Sequence, residues 1–212
     1  MLGETAATIL RSIEVSGLAT LLAASWSLPL AYYMASRNPG PIVESIVESL
    51  VGIPTVLLGL LLYMLLSSSG PLGGLGLLFT KRAMILGEAL LVTPLIVSSL
   101  YRSTRAKVSQ LLELATTLGA AGPGAALLVL SETAADATAA CIMGFSRAIG
   151  ELGVAMMLGG NIAGYTRVMT TAIALDVSKG NFEEAVYLGL ALLATMIVAS
   201  TALKLLQRAL RP

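Results

Sequence analysis

Residues 15–36 form a run of 22 without a formal charge, and comparable runs recur at 50–66 and 185–203. A helix rises about 1.5 Å per residue, so 22 residues reach about 33 Å, enough to cross a hydrocarbon core of about 30 Å. A chain that crosses lipid must satisfy its backbone polar groups internally, and uninterrupted runs of this length do so as helices, so the expected fold is an all-α integral membrane protein. Composition agrees: 56% of the 212 residues are hydrophobic and 12% are charged, with a mean hydropathy of +0.87. A water-soluble domain would interrupt its apolar runs every few residues. The net charge of +1 comes without a dense basic cluster, so the footprint of a nucleic-acid binder is missing and no nucleic-acid partner is expected. Cys141 is the sole cysteine and histidine is absent, so neither an internal disulfide nor the usual zinc or haem ligand sets can be assembled. No metal or cofactor is expected. Residues 1–13 contain Glu4 and Arg11 and lack the pattern of a cleaved secretory signal, so the first span is expected to be retained.

Five spans are expected in a single membrane domain covering 1–212, at about 15–36, 43–66, 83–101, 131–152 and 185–203. Arg37-Asn38-Pro39-Gly40-Pro41 separates the first two, since two prolines and a glycine cannot continue a helix. Glu44 and Glu48 fall near the start of the second span, where a helix favours negative charge. The stretch 105–124 differs in kind: it carries Arg105, Lys107 and Glu113, spaces Val108, Leu111, Leu112 and Ala115 as one helix face, and ends in glycines. It reads as a short amphipathic helix outside the membrane. The fourth span contains Glu132, Asp136, Arg147 and Glu151, and 153–182 is rich in glycine and threonine, which reads as a re-entrant or surface-lying segment buried against protein. Five spans put the termini on opposite faces. One face holds Arg37, Arg102, Arg105, Lys107, Lys204, Arg208 and Arg211, the other Arg11, Lys81, Arg82, Arg167 and Lys179. The excess of basic residues on the first predicts a cytoplasmic C-terminus in a plasma-membrane protein. With roughly nine residues after 203, no folded regulatory domain is expected beyond the last span.

Charges inside a span are costly and normally face a bundle interior or water. Arg147 and Glu151 are four apart and stack on one helix face, which suits either an ion pair closing the bundle or a contact with cargo. Arg167, with the hydroxyls of Thr166, Thr170 and Thr171, offers charge-assisted and neutral donors to an anion at a gate, or anchors its segment at the interface. Gly159-Gly160-Asn161 suits a tight chain reversal. Gly52, Gly59, Ala139, Ala140 and Gly144 permit close helix approach, while Pro29, Pro54 and Pro94 lie inside spans as potential kinks. The phosphate-cradling loop Gly-x-x-x-x-Gly-Lys-Ser/Thr is absent, so no ATP hydrolysis by that route is expected and the chain is read as a non-enzyme.

Glu113-Leu114-Ala115-Thr116-Thr117-Leu118-Gly119-Ala120 resembles the cytoplasmic coupling loop of ABC importer permeases, whose pattern is Glu-Ala-Ala, three residues, then Gly. Glu113, Ala115 and Gly119 match; Leu114 replaces the middle alanine, and Val129-Leu130-Ser131-Glu132 departs from the Ile-x-Leu-Pro that follows in the family. A second resemblance covers Gly144-Phe145-Ser146-Arg147-Ala148-Ile149-Gly150-Glu151-Leu152-Gly153, Met156-Met157-Leu158-Gly159-Gly160-Asn161-Ile162, and Gly164-Tyr165-Thr166-Arg167-Val168-Met169-Thr170-Thr171-Ala172-Ile173. It is similar to the C-terminal half of tungstate-type and molybdate-type permeases, and Lys179-Gly180-Asn181-Phe182-Glu183 leans toward the tungstate branch. The resemblance implies the ABC importer permease fold of the molybdate and methionine type, with a coupling helix at about 105–124. It also implies a homodimer embedded in membrane lipid, clamped by two copies of a separate ATPase subunit and fed by an extracellular or periplasmic substrate-binding protein. Tungstate is the expected cargo, with molybdate next and sulfate or phosphate as alternatives. The competing class is an ion-coupled secondary anion carrier with a relay of Glu88, Asp136, Arg147 and Glu151.

Overall fold

A computed structural model describes residues 2–119 and 122–209, with side chains from 3 to 205 of these. Among the described residues there are eight α-helices and one short 3-10 turn, Gly73–Leu75: α1 (Leu2–Arg37), α2 (Pro41–Val51), α3 (Thr55–Leu66), α4 (Lys81–Thr117), α5 (Pro123–Ile149), α6 (Gly153–Gly159), α7 (Met169–Ser178) and α8 (Phe182–Ala209). By length and composition α1, α4, α5 and α8 can each cross a membrane, and α2 with α3 makes a fifth, broken span.

α1, α4 and α5 form the centre. α1 and α4 run parallel, as their side-chain pairs climb together: Glu14 with Lys81 at 2.7 Å, Ser16 with Glu88 at 2.9 Å, Trp26 with Thr93 at 2.8 Å. α5 returns antiparallel, pairing Asp136 with Lys107 and Met143 with Ser99. Lipid supplies no hydrophobic drive between helices, so close packing and hydrogen bonds must hold them. The core meets that need with small residues on α1, Ala19, Ala23 and Ala31, against Val92, Ile96 and Leu100 of α4. Gly144 of α5 lies so close to Ile96 that a Cβ there would stand 2.8 Å from its Cδ1.

The helix limits differ from the sequence expectations in several places. α1 starts at Leu2, well before 15, because its polar residues are accommodated against protein: Thr8 and Ser12 donate to the carbonyls of Glu4 and Thr8, and Arg11 donates to the Arg167 carbonyl. The second span bends by 90° between α2 and α3. Proline at 54 supplies no N–H and disfavours helical geometry at Ile53, and Gly52 opens the turn. No separate helix occupies 105–124. α4 continues from the membrane to Thr117 as one helix, since the hydropathy changes after Tyr101 but no glycine or proline interrupts the backbone before Gly119. Ala120 and Ala121 of that predicted helix lie outside the described residues, as do Arg211 and the side chain of Arg208. α5 begins at Pro123 rather than 131 and stops at Ile149, leaving Glu151 beyond its end. The segment 153–182 folds into α6, a turn and α7, packed on α3, α4 and α8.

Candidate functional site

The link between α5 and α6 is organised by Glu151, which is 3% exposed. Its Oε2 accepts from Arg147 Nη1 at 2.6 Å, and its Oε1 accepts from the Val154 N–H at 3.1 Å, in the first turn of α6. A carboxylate in that place satisfies an otherwise orphan donor at the helix start. The Glu151 carbonyl in turn accepts from Thr170 at 2.8 Å, so one residue joins α5, α6 and α7. The predicted Arg147–Glu151 pair therefore forms, but across a helix end rather than along one face. Arg147 remains 38% exposed at its side chain. Glu88, buried at the α1–α4 contact, takes a hydrogen bond from Ser16.

The three predicted threonines are engaged by backbone. Thr166 donates to the Gly159 carbonyl at 2.6 Å and accepts from the Ile162 N–H at 3.0 Å. Thr171 accepts from the Val168 N–H at the start of α7, and Thr170 holds the Glu151 carbonyl. Arg167 is drawn inward: its Nε donates to Asn161 Oδ1 at 3.1 Å, and its Nη1 stands 3.9 Å from Glu4 Oε1. Beside it is a pocket of about 220 Å³ lined also by Asp176 and Glu184. Carboxylates surround this arginine, so in this conformation the arrangement fastens the segment more than it offers an anion a free donor. Gly160, at φ 67°, and Asn161, at φ 53°, make the predicted chain reversal.

The α4–α5 hairpin extends past the level of Arg102. Glu113 and Gly119 are exposed at its tip, while Ala115 is 1% exposed and packs within the hairpin. Leu114, Leu118 and Leu127 project outward there, and Gly119 (φ 75°) and Gly122 (φ 59°) turn the chain. The relay expected of a secondary carrier is divided: Asp136 pairs with Lys107 at 2.7 Å, 11 residues, or about 16 Å, along α5 from Arg147.

No family model matches the sequence. Curated proteins do. The chain is 39% identical over 187 residues to a tungstate uptake system permease protein of Peptoclostridium acidaminophilum, covering 87% of this chain and 82% of that protein. The chain belongs to the tungstate- and molybdate-type ABC permease family. A probable anion ABC transporter permease protein of Haloferax volcanii is 35% identical, covering 88% of this permease and 83% of its own length. A molybdenum transport system permease protein of Azotobacter vinelandii is 32% identical, at 86% and 85%. The permease is thus a multi-pass membrane transport protein.

One constellation in the permease escaped sequence reasoning. Glu44 of α2 accepts from the Tyr101 hydroxyl and pairs with Arg105 at 3.1 Å, and Glu48 pairs with Arg102, Nε at 2.8 Å and Nη2 at 2.5 Å. Arg105 also stacks over the Tyr101 ring at 5.7 Å. The signal in the sequence is two glutamates four apart and two arginines three apart on expected helices, which by themselves mark a helix start and a basic flank.

Proposed function

We propose that this permease forms the membrane path of an ATP-driven importer for tungstate, with molybdate as the nearest alternative cargo. The observation that carries the cargo is the 39% identity, over 87% of the chain, to a tungstate uptake permease. The geometry supports the ATP-driven part. A hairpin with exposed leucines beyond the charged end of the bundle suits a soluble motor, and a self-contained carrier has no use for it. In this reading two copies pair in the membrane, two ATPase subunits seat on the tips around Glu113, Leu114, Leu118 and Gly119, and a binding protein delivers the oxyanion at the opposite face. Ala115 shapes the hairpin from within. The C-terminus lies in the cytoplasm, on the same side as the tips. Closure of the motor moves the hairpin, and the α5–α6–α7 junction held by Arg147, Glu151 and Thr170 opens or shuts the path. Gly159, Gly160, Asn161, Thr166, Arg167 and Thr171 keep the outer segment in register with it.

The test is ATP hydrolysis by the permease reconstituted in liposomes with its ATPase subunit and binding protein, with and without tungstate or molybdate, and with Gly119→Asp. Gly119 has open space around its Cα, and aspartate tolerates its left-handed geometry at a cost of about 1 kcal/mol. The variant therefore places a charge on the docking face without an internal clash. Stimulation by loaded binding protein that Gly119→Asp removes is the expected result. Anion flux without ATP hydrolysis would overturn the reading in favour of a secondary carrier.

A further inference from the structure

α2 has no buried residue and is set at 90° to α3, the helix that follows it. Its attachment is one-sided. Toward α4 it presents Glu44, Val47 and Glu48, three and four residues apart and so on one face. The other face and the elbow line an open groove formed by Ile42, Ser45, Ile46 and Ser49 with Ile53 and Pro54. The directed contacts to α4 are the pairs of Glu44 with Tyr101 and Arg105 and of Glu48 with Arg102. They sit where α4 leaves the membrane: Lys81 to Arg102 is 21 residues, or about 32 Å, one bilayer core. Beyond that level α4 continues unbroken to the tip at Thr117. On the other side of the elbow, α3 is seated on α6 through glycines. A Cβ on Gly153 would lie 2.7 Å from Thr55 Oγ1, and one on Gly59 would lie 3.1 Å from Met157 Cβ. A chain of fixed contacts therefore runs from the α4 tip through Glu44 and Glu48 to α2, round the elbow to α3, and on to α6, whose first turn is held by Glu151.

We infer that Glu44 and Glu48 are positioning residues that bind α2 to α4, so that α2 follows each movement of the hairpin and carries it to α3 and α6. The inference rests on the importer reading. The pairs are 23–62% exposed, and exposed ion pairs add little stability. Replacing them therefore leaves the fold intact and alters what moves with what.

The experiment uses the reconstituted complex with Glu48→Arg, Arg102→Glu and the exchanged pair, each checked for assembly by co-purification with the ATPase subunit. Stimulation in the unaltered complex tests the importer reading; the variants, read relative to it, test the clamp. Each single reversal is expected to lower stimulation by loaded binding protein about tenfold while basal hydrolysis is retained, and the exchanged pair is expected to restore it. A second arm joins Glu48→Cys to Arg102→Cys in a Cys141→Ser background. Helices that travel together tolerate the cross-link, so stimulation persists. Singles that retain full stimulation, an exchanged pair that fails to recover, or a cross-link that stops the cycle would each overturn the clamp and leave the importer reading standing.

Discussion

Glu151 holds Arg147, the Val154 N–H and, through its carbonyl, Thr170. Glu151→Ala strands a partly buried guanidinium and a helix-start N–H together, and is expected to cost about 2–4 kcal/mol. Glu151→Gln keeps an acceptor for Val154 and is expected to cost roughly half as much. Thermal melting of the purified permease in detergent checks the order, and equal losses would mean that the carboxylate charge carries the whole effect. Gly160 and Gly164 offer a second comparison. Both have positive φ, but a Cβ on Gly160 would meet Phe79 at 2.7 Å, whereas Gly164 has open space. Gly164→Ala should show only backbone strain, about 1–2 kcal/mol, and Gly160→Ala a larger drop in the same melt. At this scale the sequence was legible where chemistry is local, as in the four-residue spacing of Arg147 and Glu151. It was not legible where partners come from closure of the chain. The hydroxyls of Thr166 and Thr170 read as free donors because nothing nearby in sequence announces the carbonyls of Gly159 and Glu151 as their partners, whereas Thr171 is spent locally, on Val168 three residues back at the start of α7.

The charge-free runs revealed that helices exist, because lipid leaves the backbone no other economy. Their ends were harder to read. Hydropathy marks where a helix leaves lipid, not where it stops, so it divides α4 at Tyr101 although the backbone continues to Thr117. For the same reason hydropathy starts α1 at 15, past the polar residues that protein contacts bury. The break in the second span shows the opposite case: Gly52 and Pro54 are visible in the sequence, yet a proline in a membrane helix also fits a mild kink, so the residues alone do not announce a bend of 90°. Replacing both by alanine is expected to favour a straight helix. Spin labels at Ser45 and Leu61, 16 residues apart, would then separate from about 17 Å to about 24 Å at 1.5 Å per residue. An unchanged distance would mean that α4 and α6 impose the bend by themselves.

Across the whole molecule, charge divides into two belts. Glu14, Lys81, Arg11 and Arg167 lie at one end, and Glu44, Glu48, Arg102 and Arg105 at the other. A cytoplasmic second belt predicts that, in a Cys141→Ser background, a cysteine at the exposed Ser68 reacts with an impermeant maleimide on intact cells and one at Ser109 does not. The reverse pattern would invert the topology. Pro94 gives the long α4 a further property. Proline cannot donate to the Leu90 carbonyl, so the helix has its softest joint inside the membrane, next to a cavity of about 230 Å³ shared with Leu50 and Ile53 of the elbow region. The 23 residues from Pro94 to Thr117 make a rod about 35 Å long, and a bend of about 5° at Pro94 would sweep its end through about 3 Å. A modest angular change beside that cavity would thus be magnified into a stroke, and a lipid or solute filling the cavity would stiffen the joint and shorten it.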